Sequence, residues 1–133
     1  MLEQMEDSHE YNDLSLHINN NKAAALNMLG RYSESISILE KCLQYAKKDI
    51  FYKNLGDAYY SIGIYEKAIY NYEHAVHLND SLDEAYYNMS VCLFQQENYY
   101  HAQLSIHQAL KIAPQNAEYN LLNNEILKKI TAR

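Results

Sequence analysis

Two histidines at helical spacing are the residues best placed to do chemistry in this sequence. His74 and His77 are three positions apart and can share one face of a helix, with Glu73 beside them. Imidazole and carboxylate groups are ligands that zinc accepts. No third ligand follows at helical spacing, and His101 and His107, six positions apart, do not share a face well. We interpret these histidines as packing or solvent-facing residues, and we predict no metal ion and no cofactor.

Catalytic motifs are also missing. The chain has no phosphate loop of the G-x4-G-K type, no glycine-rich nucleotide turn, no H-E-x-x-H and no serine elbow. Carboxylate pairs such as Asp83 and Glu84 fall at an expected helix start, where they favour the helix dipole. Cys42 and Cys92 form neither a CxxC pair nor a disulfide framework, and we predict that both are unreactive. The sequence therefore predicts that the protein is not an enzyme.

Composition limits the possible partners. The 133 residues carry 17 acidic and 11 basic side chains, for a net charge of −6, and no basic cluster is longer than a pair. Nucleic acid is an unsuitable partner, because binding phosphates needs concentrated positive charge. No apolar run approaches the roughly 20 residues that cross a bilayer, and the acidic N-terminus lacks the pattern of a secretory signal. We expect one domain, no membrane contact and, with two unpaired cysteines, a cytoplasmic location.

The chain repeats itself at a period close to 34 residues. It contains three glycines and one proline and shows little strand-like alternation, which predicts an all-helical protein. Positions that recur 34 residues later are Tyr52 as Tyr86, Ala68 as Ala102 and Ala75 as Ala109. A shift of 33 residues towards the N-terminus matches Tyr65 to Tyr32, Gly63 to Gly30, and Tyr72 to Leu39. We infer three copies of one unit.

The middle copy resembles the tetratricopeptide repeat, a helix-turn-helix unit with the signature W-x2-L-G-x2-Y followed by A-x3-F. The matching residues are Tyr52, Leu55, Gly56, Tyr59, Ala68, Tyr72 and Ala75. Tyr52 replaces the usual Trp and Asp80 the usual Pro; the third copy has Pro114 at that point, and the first copy is degenerate in its leading helix. The resemblance covers roughly residues 16 to 116. It implies an all-α, right-handed superhelical stack of antiparallel helix pairs, an α-solenoid.

The predicted boundaries follow from the repeat. Repeats are expected at about 16–48, 49–82 and 83–116, within a domain over 14–133. The predicted helices are 14–29, 32–46, 49–62, 65–78, 82–96, 99–112 and a capping helix over 115–131. Residues 1–13 are expected to be flexible or to form a short helix. Ser81 and Glu84 have the spacing of a capping box for the fifth helix.

The resemblance gives the small residues a packing role. It places Gly56, Ser90 and Ala23 where the two helices of a repeat cross, facing Ala68, Ala102 and Ser35. Gly30 and Gly63 are expected to close turns in the left-handed conformation, and Glu97 or Asn98 must do so in the third copy.

In this family, the first helix of each pair lines the concave side, which commonly holds a partner's peptide or helix. The resemblance therefore implies a peptide-binding groove formed by Asn20, Ala24, Asn27, Met28, Lys53, Asn54, Asp57, Tyr60, Tyr87, Asn88, Val91 and Phe94. Asn54 and Asn88 can each pair with an extended backbone, or they can tie neighbouring helices together. The aromatic side chains can form apolar walls for a ligand or can serve packing alone.

Three more specific functions remain open. Repeats that bind the acidic C-terminal tails of heat-shock chaperones use Lys, Asn and Arg at positions that are Asn20, Ala24, Asn54, Glu84 and Asn88 here. Only Asn54 matches, and Glu84 would repel a carboxylate, so we do not expect such an adaptor. The size, the repeat count and the acidity resemble the small type III secretion chaperones. Fourteen tyrosines also leave self-association possible, as a homo-oligomer.

Overall fold

The computed structural model describes residues 12–132, and they form seven α-helices without a strand. The helices are α1 (Asp13–Met28), α2 (Tyr32–Tyr45), α3 (Asp49–Ser61), α4 (Tyr65–Leu78), α5 (Asp83–Gln95), α6 (Tyr99–Ile112) and α7 (Ala117–Thr131). The all-helical prediction is confirmed for this part of the chain. Apart from the last two residues of the range, the expectation for residues 1–13 lies outside the described residues.

Short turns join consecutive helices, so each helix packs antiparallel to the next. In addition, α1 contacts α3, α3 contacts α5, and α5 contacts α7, whereas the even-numbered helices of the described part stand further from one another. The stack therefore bends towards the odd-numbered helices. We call the concave surface that these helices form the inner face. The seven helices fit three repeats and a capping helix, as the sequence predicts.

The same turn ends the first helix of every repeat. Gly30 and Gly63 have φ angles of 77° and 80°, and Glu97 has a φ of 61°. In each turn the following amide donates to a carbonyl five residues earlier, as in Asn98 N to Leu93 O at 2.9 Å. These bonds define a Schellman motif, which needs a left-handed residue. The prediction is confirmed at all three positions, and Glu97 is the residue that adopts this conformation without being glycine.

Small residues allow the helices of a repeat to pack closely. A Cβ atom on Gly56 would lie 2.8 Å from Cε1 and 2.9 Å from Cδ1 of Tyr72, which is fully buried. In the third repeat, the Ser90 hydroxyl donates to the carbonyl of Ala102 at 2.7 Å. The contact predicted between these positions is thus present at Ser90. At Gly56, the nearest atoms belong to the Tyr72 ring rather than to Ala68.

The predicted capping box at the start of α5 is wrong. The helix begins at Asp83, its N-cap is Leu82, and no side chain caps it. The backbone N–H of Ser81 instead donates to Asn79 Oδ1 at 3.1 Å. Because the helix starts one residue later than the box requires, the Glu84 carboxylate turns towards Lys53 on α3, at 3.3 Å.

The core runs the length of the stack and is closed by α7. Ile126 is fully buried, and Leu122 and Ile130 pack beside it, so α7 covers the last repeat as predicted. Its first residue is Ala117 rather than 115, because Asn116 acts as N-cap and accepts the Tyr119 N–H at 3.1 Å. Within residues 12–132, no helix has the length and apolarity to span a bilayer.

Candidate functional site

All ten residues predicted for the groove lie on three adjacent odd-numbered helices of the inner face. They are Asn20 and Asn27 on α1; Lys53, Asn54, Asp57 and Tyr60 on α3; and Tyr87, Asn88, Val91 and Phe94 on α5. Asn20 and Asn54 are buried, and the other eight are partly buried. The repeat register therefore places these residues on one continuous surface, with different degrees of access.

Two of the asparagines are fasteners between α1 and α3. Asn54 Nδ2 donates to Asn20 Oδ1 at 2.8 Å, and Asn27 Nδ2 donates to the backbone carbonyl of Asn54 at 3.0 Å. Asn20 and Asn54 are only 6% and 7% exposed. Buried amides need such partners, because an unpaired one costs about 1–3 kcal/mol. Here, the helix-tying role that the sequence left open for Asn54 is the one its amide group performs.

An ionic network joins the second and third repeats. Lys53 Nζ lies 2.9 Å from Asp57 Oδ2 and 3.3 Å from Glu84 Oε2. Asp57 Oδ1 also accepts hydrogen bonds from the Tyr72 hydroxyl and, at 3.2 Å, from Asn88 Nδ2. Asn88, like Asn54, is thus engaged with a neighbouring helix. Lys53 is the only basic residue of α3, and its charge is shared between two carboxylates.

This network shifts several pKa values. Burial lowers the pKa of Lys53, but Asp57 and Glu84 together outweigh it, and the net shift is upward. Burial and the Asp57 charge raise the pKa of the Tyr72 hydroxyl. Burial, followed by Asp57, raises the pKa of Cys92 to about 12. At neutral pH Cys92 is therefore a protonated thiol, which agrees with the predicted lack of reactivity.

Aromatic rings line the rest of the inner face. The Tyr60 ring lies 6.3 Å from that of Tyr65, and the Phe94 ring meets Tyr99 edge-on at 5.4 Å. Tyr87 stacks on Tyr119 of α7 at 4.9 Å, with 29° between the ring planes. Each inner-face ring is held on one side by a ring from another helix or from the turn that follows. They are therefore positioned before any ligand contact.

A pocket of about 240 Å³ opens between α5 and α7. It is lined by Glu84, Tyr87, Asn88, Asn116, Glu118 and Tyr119. Tyr119 anchors its floor by donating a hydrogen bond to Asp83 Oδ2 at 2.7 Å. Sequence reasoning missed the three residues at the start of α7. For Tyr119 a signal existed, since it continues the apolar stripe of Leu122, Ile126 and Ile130 by one turn.

The outer side of the stack has a larger cavity of about 330 Å³, where α2 and α4 overlie Leu55 and Tyr59 of α3. Near it, the His74 ring stacks on Tyr52 at 4.8 Å and meets Tyr70 edge-on at 4.6 Å. His74 thus packs between two tyrosines. Among the residues that the structure describes, no three His, Cys, Asp or Glu side chains are grouped so that they could hold a metal ion.

Comparison with known proteins follows this geometry. A tetratricopeptide repeat model matches residues 16–49, and a TPR repeat model matches residues 56–103. A comparison with curated proteins finds no match.

Several solved structures share the fold. The first TPR domain of human RPAP3 has a TM-score of 0.81 at 20% identity, over 88% of this chain and 93% of that one. The first TPR of Spaghetti (RPAP3), bound to the HSP90 peptide SRMEEVD, has a TM-score of 0.85 at 20% identity, over 91% and 97%. The Yersinia enterocolitica type III secretion chaperone SycD, in complex with a peptide of the translocator YopD, has a TM-score of 0.75 at 18% identity, over 92% and 95%.

Identities this low establish a common fold and nothing about ligands. The two family matches cover most of residues 16–103, and the three helix pairs share one Schellman turn and one buried small-residue contact. The chain is a member of the tetratricopeptide repeat family.

Proposed function

We propose that the protein is an interaction or scaffolding module that holds a peptide or helix of a partner protein on its inner face. One observation carries the proposal: Tyr60, Tyr87, Val91 and Phe94 form a partly exposed row of aromatic and apolar side chains on adjacent helices of the concave surface. Rigid apolar side chains in a concavity are suited to binding side chains of a partner segment. The peptide-bound structures of similar fold support the proposal by analogy.

The same surface supports a function without catalysis. Its ionisable groups, Lys53, Asp57 and Glu84, are engaged in ion pairs between helices, and its one cysteine, Cys92, is buried with a raised pKa. A free nucleophile beside a base would be needed for covalent catalysis. We further propose a cytoplasmic location, which the free thiols Cys42 and Cys92 support.

The proposal is tested with peptides selected from a random display library on the wild-type protein. Their affinity is then measured by fluorescence anisotropy for wild type, Phe94→Ala and Tyr87→Ala, with thermal melts run in parallel. We expect each substitution to weaken binding by at least about tenfold, the loss typical of an aromatic anchor. Tyr100→Ala is the matched control, because Tyr100 is an exposed aromatic residue on α6, outside the inner face.

Two results would overturn this assignment. The first is a failure to select any peptide. The second is undiminished affinity of both inner-face variants at unchanged thermal stability. Amide shift changes confined to the even-numbered helices would also contradict it, and they would direct attention to the outer cavity at Leu55 and Tyr59.

Self-association is the second candidate function. The outer side of α1, at one end of the described stack, carries Leu14 and Ile18, which are 71% and 58% exposed and one turn apart. Apolar residues at the end of a repeat stack are suited to contact another copy. Light scattering over a dilution series separates this candidate, since a monomer at all concentrations excludes it. A chaperone of the type III secretion kind remains the narrower alternative within the main proposal.

A further inference from the structure

The polarity of the inner face indicates which kind of peptide it accepts. Lys53 is the only basic residue on α3, and α5 has none. Lys53 is bridged to Asp57 and Glu84, and its side chain is only 18% exposed. It therefore has little positive charge left to offer a ligand. An acidic segment would meet these carboxylates without a free cation to balance them.

The pocket between α5 and α7 concentrates the opposite preference. Two of its six lining residues are glutamates, Glu84 and Glu118, and no lining residue is basic. The Glu84 side chain is 70% exposed, so its carboxylate is accessible even though one oxygen faces Lys53. These carboxylates come from different helices, α5 and α7, and the fold brings them to one concavity.

The pocket wall adds a second feature that favours a cation. Tyr87 and Tyr119 stack against each other beside the glutamates. Aromatic faces attract cations through the ring quadrupole, and guanidinium groups stack on them especially well. Asn88 and Asn116 also line the pocket, and their side-chain oxygens are of a type that accepts N–H donors. The cavity volume, about 240 Å³, equals that of several water molecules and admits a long side chain.

An apolar surface adjoins this pocket on the same helix. Val91 and Phe94 lie one and two turns beyond Tyr87 along α5, and both are partly exposed. The distance from Tyr87 to Phe94 along the helix axis is roughly 10 Å, at 1.5 Å per residue. An extended peptide running along α5 covers that distance in about three residues.

We propose that the inner face binds a basic and apolar segment of its partner, in which an arginine or lysine side chain enters the Glu84–Glu118 pocket and an apolar side chain about three positions away lies on Val91 and Phe94. This inference rests on the proposed function. It also excludes acidic C-terminal tails as ligands, in contrast to the peptide held by the Spaghetti structure of similar fold.

The test uses the same display selection, read out as composition. We expect selected peptides to be enriched in arginine or lysine near an aliphatic or aromatic residue, and to bind more weakly as salt is raised. The peptide SRMEEVD serves as an acidic probe and is expected not to bind. If no peptide is selected, the proposed function fails; if acidic or uncharged peptides are selected, the function stands and this inference fails.

Variants locate the effect. For one selected basic peptide, Glu118→Gln and Glu84→Gln are each expected to weaken binding about fivefold, the size of a partly exposed ion pair. Glu66→Gln, on exposed surface of α4, is the charge-matched control and should leave affinity unchanged. Replacing the peptide's arginine by its neutral analogue citrulline should abolish the difference between wild type and Glu118→Gln. Equal affinity of wild type and both pocket variants for the basic peptide would contradict the pocket assignment.

Discussion

Replacing Gly56 by alanine tests the packing argument most directly, because two effects of opposite sign compete there. Inside an exposed helix, alanine stabilises by about 1 kcal/mol over glycine. At this site, however, the new Cβ would lie 2.8–3.1 Å from three atoms of the Tyr72 ring. Contacts below about 3 Å require a neighbour to move. Tyr72 has little freedom to do so, because it is fully buried and its hydroxyl is bonded to Asp57.

The magnitude follows from these terms. Overpacking of a tight core costs about 1–3 kcal/mol, from which the helix-propensity gain is subtracted. We expect a net loss of about 1 kcal/mol of unfolding free energy. For a chain of this length that corresponds to a fall of roughly 3–5 °C in Tm. Gly56→Val, which adds two further methyl groups, is expected to unfold the domain.

The assay is thermal and urea denaturation followed by far-UV circular dichroism. A Tyr72→Leu background removes the ring atoms that the Cβ would meet, so there Gly56→Ala should change sign and become stabilising. Such a sign reversal in a double-mutant cycle isolates the Gly56–Tyr72 contact. A higher Tm for Gly56→Ala in the wild-type background would refute the packing argument.

Three other perturbations have defined outcomes. Glu97→Gly should raise the unfolding free energy by about 0.5–1 kcal/mol, because it relieves a left-handed side-chain residue at φ 61°, and a lower urea midpoint would contradict the turn assignment. Asn54→Ala should cost about 1–3 kcal/mol in the same assay, because it leaves Asn20 Oδ1 without its donor; an effect near zero would show that this amide pair is dispensable. Stability should fall as pH rises above about 8.5, the unfolded thiol pKa, since the folded state keeps the Cys92 proton up to a pKa of about 12 while the unfolded chain releases its own. Cys92→Ala should make this alkaline fall shallower, as urea midpoints between pH 8 and 10 will show, and an unchanged slope would contradict the shift.

The inner face combines two kinds of side chain with different tasks. Asn20 and Asn54 bond to each other between α1 and α3, and Lys53 and Asp57 bond across to α5, so these polar groups fix the curvature of the stack. The aromatic residues are held at one side and remain partly open on the other. A surface fixed in this way loses little conformational entropy when a ligand binds.

The candidate site was predictable only in part. The repeat register placed every proposed groove residue, from Asn20 to Phe94, on the odd-numbered helices, because each unit repeats its orientation. It could not assign the asparagine amides to ligand or to helix, since both uses need the same residue type at the same position. It also missed Glu118 and Asn116, which follow the last repeat and have no counterpart at the repeat period.

The sequence alone determined the helix count, the pairing and the turns, because these depend on local spacing: glycines or Glu97 at the turn, and small residues such as Gly56 where helices cross. The tertiary structure decided which charges and rings meet. Lys53 with Glu84 and Asp83 with Tyr119 are 31 and 36 positions apart. Whether such side chains touch depends on the rotation between neighbouring repeats and on rotamers, which no periodic pattern encodes. The acidic aromatic pocket between α5 and α7 is a product of that rotation, and so is the preference for a basic ligand that we infer from it.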